Sequence, residues 1–227
     1  MVGVFDSGAG GLTAISELRR IMPSVDVCFF ADRKNAPYGT KSQAELICLA
    51  ERDILKLYNA GCERILMACC TASTVFPLLP KPMQNIACQI ISPTAKEAAR
   101  VTKNGKIGVI ATEATVASGA FRRELTALGS VREVIELPTQ KLVTLIECGV
   151  TDKSIKESES AKLSKILDPI RNSDVDTLIL GCTHFPHLEK EIGKLLPDVQ
   201  LVSSSREGAK EISKYILPHG NGKTVYL

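Results

Sequence analysis

Two segments of the chain end in residues of the kind that move protons. RILMACCTAS spans residues 64–73 and TLILGCTHFP spans 177–186. In each, an apolar run that reads as a strand stops at a cysteine, in a Cys-Cys-Thr or a Cys-Thr turn. Cys69 and Cys182 therefore precede the first turn of a helix, where backbone N–H groups favour a thiolate and lower the thiol pKa. His184 follows Cys182 by two residues, and an imidazole there can shuttle a proton or hold a carboxylate. His187 is expected at the surface, and His219, in the tail PHGNGK, has no chemical context. A third segment, Asp6-Ser7-Gly8-Ala9-Gly10-Gly11, follows the strand VGVF and opens a helix. Its glycines allow a tight turn and close approach of a ligand, and the helix N-terminus favours an anion. GxGxxG is incomplete, so a dinucleotide loop does not follow. Asp6 can also serve simply as an N-cap.

An internal echo relates these segments. VGVFDSGAG (2–10) is matched by IGVIATEAT (107–115), as RILMACCTAS is by TLILGCTHFP. Gly3 precedes Cys69 by 66 residues and Gly108 precedes Cys182 by 74, so order and spacing both repeat. The echo predicts two related α/β domains. We set the first at 1–92 plus 206–227 and the second at 93–205, with the seam near Ser92-Pro93, where proline can open a helix. The last helix, 206–217, is expected to cross back to the first domain.

Strands are predicted over 2–5, 26–31, 64–68, 88–91, 106–111, 131–137, 177–181 and 199–202 from their short apolar runs. Helices are predicted over 11–22, 43–61, 94–103, 115–128, 140–148, 154–171, 186–196 and 206–217. In the first helix, Leu12, Ile15, Leu18, Ile21 and Met22 form one stripe. Alternating strands and helices imply parallel sheets with right-handed crossovers. In such sheets ligands bind beyond the carboxyl ends of the strands. All four echoed segments fall there, so the domains should enclose one cleft with a cysteine on each wall. Two thiols on opposite faces of a carbon suit inversion of a stereocentre. One removes a proton and the other returns one, with no cofactor if the site stabilises the carbanion.

Composition narrows the classes. The chain has 227 residues, enough for a substantial core, and 28 basic against 25 acidic side chains, for a net charge of +3. That charge is too small and scattered for nucleic acid, and with 4% aromatics and no tryptophan there are few stacking platforms. No apolar run approaches a membrane span, and the N-terminus lacks the pattern of a signal peptide. A cytoplasmic protein is the expectation. Eight cysteines without CxxC spacing suggest neither a disulfide framework nor a metal site. Those in DVCFFA and ELICLA, Cys28 and Cys48, read as small buried hydrophobes.

DSGAGGLT (6–13), APYGTKS (36–42), ACCTAS (68–73), IECG (146–149) and LGCTHFP (180–186) together resemble the signature segments of the glutamate racemases. These belong to a cofactor-independent aspartate/glutamate racemase superfamily. The resemblance runs over essentially the whole chain. It implies two pseudo-symmetric α/β domains with the site between them, and conversion of L- to D-glutamate for peptidoglycan. It implies no cofactor and no metal, and often a homodimer. By resemblance Cys69 acts on the D-enantiomer and Cys182 on the L-enantiomer. Asp6 and His184 assist the two thiols, and Glu147 assists on the His184 side. Substrate contacts are implied for Asp6, Ser7, Pro37, Tyr38, Gly39, Cys70, Thr71, Thr183 and His184. Thr112, Thr115 and Ser118 belong to a segment implied to line the second wall.

The chain departs from the pattern at several points. Cys70 stands where the family usually has an asparagine that binds the substrate carboxylate, and a thiol is a weak donor. QKLVTLIE (140–147) replaces a proline-rich run, and VSSS (202–205) replaces a segment that commonly carries an aspartate. The chain is also shorter than is usual, mostly in its tail. The alternatives are an aspartate racemase or other member of the superfamily, a non-catalytic two-domain binder, and a redox protein using the Cys69-Cys70 pair. A vicinal disulfide would strain the peptide between its cysteines.

Overall fold

The computed structural model describes residues 1–227. Nine strands form two wholly parallel sheets. The strands are β1 (Val2–Asp6), β2 (Val27–Ala31), β3 (Arg64–Met67), β4 (Ala87–Gln89), β5 (Lys106–Ala111), β6 (Glu133–Pro138), β7 (Thr177–Gly181), β8 (Gln200–Ser203) and β9 (Thr224–Tyr226). The first sheet has the order β4-β3-β1-β2-β9 and the second β8-β7-β5-β6. Written so, the first four positions correspond: β1 and β3 pair as β5 and β7 do. The echo in the sequence is thus an echo in topology, and the chain has two parallel-sheet α/β domains. Strands such as VGVFD and TLILG are buried throughout because both faces of a parallel sheet are covered.

The helices are α1 (Gly11–Ile21), α2 (Gln43–Asn59), α3 (Cys70–Ser73), α4 (Lys81–Ile86), α5 (Ile91–Val101), α6 (Glu113–Ala117), α7 (Ala120–Thr126), α8 (Gln140–Glu147), α9 (Glu157–Arg171), α10 (Glu189–Leu195) and α11 (Ser204–Ser213). Local signals account for several ends. Ser42 and Glu45 form a capping box at the start of α2. Gly61 takes φ +87° just after that helix.

Several boundaries differ from the sequence reading. The expected strand 88–91 ends at Gln89, whose side chain accepts from the N–H groups of Ile91 and Ser92 and so caps α5. The expected helix 115–128 is broken into α6 and α7 at Gly119, which adopts φ +62°. The region 186–196 begins as a 3-10 turn before α10. In α1, Ala14, Ile15 and Leu18 are buried, but Leu12 and Ile21 are exposed, so the apolar stripe is narrower than its sequence. Cys48 is exposed on α2 rather than buried. The tail pairs β9 with β2, an edge position that a three-residue segment does not announce.

One core of 27 buried side chains joins the two sheets, including Val4 and Leu66 from one and Val109 and Ile179 from the other. Helix α11 crosses between them. It leaves β8 of the second sheet and packs on α1, β3 and β4 of the first. Gly208 makes that close approach possible, since a β-carbon there would come within 2.3 Å of Ile90. No helix is long and apolar enough to cross a membrane.

Candidate active site

A narrow cleft with a cavity volume of about 30 Å³ opens between the carboxyl ends of the two sheets. Cys69, just beyond β3, and Cys182, just beyond β7, line it from the two domains. Parallel strands bring both cysteines there because the carboxyl ends of β1 and β3, like those of β5 and β7, share one edge of their sheet.

The Cys69 wall continues with Ser7 and Gly8, and with the segment Ala36–Gly39. Cys69 Sγ lies 3.7 Å from Ser7 Oγ. Tyr38 is fully buried, and its hydroxyl lies between two carboxylates that can take its one proton in a hydrogen bond, Asp32 at 2.6 Å and Asp53 at 2.9 Å. Arg52 bridges the same two carboxylates. Burial pushes Asp53 up to about 6, against the bonds from Arg52 and Tyr38. Burial acts the same way on Asp32, but its bonds from Tyr38, Asn35 and Arg52 prevail and hold it low. This network anchors Pro37-Tyr38-Gly39 as a fixed part of the wall. Gly39 has no room for a side chain: a β-carbon would meet Gln140 Oε1 at 2.6 Å and Thr112 at 3.1 Å.

On the other wall, Cys182 Sγ is 3.5 Å from His184 Nδ1, and His184 Nε2 is 3.4 Å from Glu147 Oε1. Cysteine, imidazole and carboxylate thus form a line from the buried floor to the mouth. Gln140, Val143 and Glu147 all line the cleft from α8. Their i, i+3, i+7 spacing puts them on one helix face. That spacing was present in the sequence, so Glu147 could have directed attention to Gln140 and Val143.

The domains also bond to each other across the base. Asp6, wholly buried, accepts from Gly8 N–H at 3.0 Å and from the Thr183 hydroxyl at 3.2 Å. Gly10 sits so near Thr183 and His184 that a β-carbon would come within 2.4 Å of the threonine hydroxyl. Thr71 of the first domain joins Thr112 and Thr115 of the second in a ring of hydroxyls 2.8 to 3.1 Å apart. Thr71, Thr112 and Thr183 line the cleft. Asp6 and Thr115 lie behind it, wholly buried, and the Ser118 hydroxyl donates to the Thr115 carbonyl at the break between α6 and α7. Cys70 lines the cleft, but its thiol donates to Ser204 Oγ at 3.3 Å and belongs to the core between the sheets.

The thiols are not acidic, contrary to the expectation from their place before a helix. Backbone N–H groups do reach the sulfurs, from Ala72 and Ser7 to Cys69 and from His184 to Cys182. Burial outweighs them. It pushes Cys69 up to about 12 and raises Cys182 and Cys70 as well, with Asp6 adding to the effect on all three. Helix α3 has only four residues, and Cys182 leads into a 3-10 turn, so neither offers much dipole. Burial also raises Asp6, although His184, Gly8 and Thr183 oppose it.

Residues 15–212 match the family described as Asp/Glu/Hydantoin racemase. A glutamate racemase of Desulforudis audaxviator is 43% identical over 203 residues, covering 88% of this chain and 73% of the relative. A crystal structure of a glutamate racemase isoform from Bacillus anthracis superimposes with a TM-score of 0.89 at 32% identity, covering 100% of this chain and 86% of that one. A glutamate racemase of Francisella tularensis, crystallised with D-glutamate, gives 0.85 at 29% identity, covering 99% and 86%. Matches that run nearly the full length in both sequence and backbone leave one conclusion: this chain belongs to the Asp/Glu/Hydantoin racemase family of isomerases.

Proposed function

We propose that the protein interconverts L- and D-glutamate by two-thiol proton transfer, without a cofactor. The observation that carries this reading is the opposition of Cys69 and Cys182 across one cleft. With L-glutamate bound, the Cys182 thiolate takes the α-proton and becomes a thiol. The Cys69 thiol then gives its proton to the opposite face of the carbanion and is left as thiolate, and D-glutamate departs. The reverse reaction exchanges the roles. Both thiols are buried, so a thiolate must form with help. His184, braced by Glu147, supplies that help on the Cys182 side, and Asp6 and Ser7 stand on the Cys69 side. Ser7, Pro37, Tyr38, Gly39, Cys70, Thr71, Thr112 and Thr183 frame the substrate. Asp6 and Thr115 act from behind the lining.

Substrate identity rests on the relatives, which are named glutamate racemases at 33–43% identity. The motif resemblance extends the reading to supply of D-glutamate for peptidoglycan in the cytoplasm, and to a homodimer. The internal echo and the Ser92-Pro93 seam support domains bounded at 1–92 plus 206–227 and at 93–205. The test is proton NMR of L- and of D-glutamate in D2O with purified protein. Loss of the α-proton signal and appearance of the other enantiomer are expected from either start. Absence of exchange from both would overturn the racemase reading, and faster exchange of aspartate would favour the aspartate alternative.

A further inference from the structure

Gln140 is the first residue of α8 and stands outside every motif that carried the resemblance. Its position is nevertheless closely held. The preceding Thr139 is buried, and both its N–H and its hydroxyl donate to the Ala111 carbonyl, at 2.7 and 3.1 Å. The start of α8 is thereby locked to the end of β5, and the Gln140 side chain lies along the cleft beside Gly39. Its Oε1 is buried with no hydrogen-bond partner. Because that oxygen is buried while the side chain lines the cleft, the amide N–H2 is the end that faces a ligand.

The charge pattern of the cleft sharpens this. No lysine or arginine lines it, and Gln140 is its sole carboxamide. Its carboxylate, Glu147, repels an anionic substrate. Apart from His184, an amino dicarboxylate bound here finds only neutral donors for its carboxylates, namely backbone N–H groups, hydroxyls and an amide. The Cys70 thiol adds little, since it is a weak donor already turned to Ser204.

We propose that Gln140 is a substrate-contacting residue whose carboxamide donates a hydrogen bond to a carboxylate of the bound amino acid. The inference rests on the racemase reading above. With Oε1 against Gly39, the amide N–H2 is the end left to donate.

Two nearly isosteric variants test it. Gln140→Met removes the hydrogen bond, and Gln140→Glu keeps the shape but adds a negative charge. A glutamate in the first turn of a helix is favourable, so the second variant leaves α8 intact. Dissociation constants for D- and L-glutamate are measured by titration calorimetry, with KM and kcat alongside. Gln140→Met should raise Kd and KM roughly tenfold, the size of one hydrogen bond to a charged group, with a smaller change in kcat. Gln140→Glu should raise them further, while its melting temperature stays near that of the unaltered protein. If Gln140→Met binds as tightly as the unaltered protein, the assignment falls and the racemase reading stands. The same holds if Gln140→Glu binds as tightly or more tightly, which would mean that the amide oxygen serves the ammonium group instead. An unaltered protein that binds neither enantiomer overturns both.

Discussion

Cys69 and Cys182 end corresponding strands of two corresponding sheets, yet the walls that carry them differ chemically. Beside Cys182 stands an imidazole at 3.5 Å, backed by a carboxylate whose side chain is 56% exposed. Beside Cys69 stands a serine hydroxyl at 3.7 Å, and its nearest charge is the buried Asp6, which opposes a thiolate. Even Asp6 is shared, since it bonds to Thr183 of the opposite domain. Pseudo-symmetry therefore holds for the backbone and for the sulfurs but not for the groups that hold the proton. The reason is geometric: the strand ends repeat, whereas the segments that follow β6 and β2 differ, α8 bringing Glu147 to one wall and the turns of 33–40 bringing Pro37-Tyr38-Gly39 to the other.

Removing either sulfur should have the largest effect. Cys69→Ser and Cys182→Ser are each expected to lower racemisation by a thousandfold or more, roughly the upper range for loss of a positioned acid or base. A serine alkoxide is too costly to form near neutral pH. Enantiomer interconversion followed by circular dichroism is the measurement. Near-normal activity in either variant would refute a two-thiol mechanism.

His184→Asn probes the asymmetry itself. Free L- and D-glutamate are equally stable, so kcat/KM must fall by the same factor in both directions. The difference between walls must appear elsewhere, as a larger primary isotope effect with α-deuterated L-glutamate than with the D-enantiomer. Equal isotope effects after the substitution would separate His184 from the Cys182 side.

The pH dependence follows from burial. Below its pKa, the thiolate fraction of a buried cysteine rises with pH. With Cys69 at about 12 and Cys182 also raised, kcat/KM should climb from about pH 7 and still be climbing above the unperturbed thiol value of about 8.5. Stability should move the other way. A thiol raised in the folded state contributes stability below its unfolded value of about 8.5, and this is lost as pH rises toward the folded value. Cys69→Ser should therefore flatten the alkaline decline in melting temperature. A kcat/KM that levels off near or below the unperturbed thiol value would mean that the thiolate forms in another way.

Cys70→Asn should have the smallest effect. An amide at this position can reach a substrate carboxylate and lower KM by about 1–2 kcal/mol, a hydrogen bond's worth. It must also fit a core in which Cys70 is 2% exposed, so a lower melting temperature should accompany it. An unchanged KM with a lower melting temperature would mark Cys70 as packing alone.

Much of this was legible in the sequence, for a local reason. VGVFD and TLILG declare themselves as strands through continuous apolar runs, because that signal acts over a few residues. The repeated order of these signals was sufficient to expect two domains and a cysteine on each wall. Tertiary structure decided what depends on distant neighbours. Leu12 and Ile21 are apolar yet exposed because the buried face of α1 is only as wide as its partners. The thiols rise rather than fall in pKa because enclosure by both domains outweighs the few N–H groups that a short turn supplies. Asp6 finds Thr183 at 3.2 Å although 177 positions separate them, and Gln140 comes to rest against Gly39. Periodicity governs the face a side chain takes on its own element. Desolvation and hydrogen bonding across the cleft depend on the other domain, and so on the assembled fold.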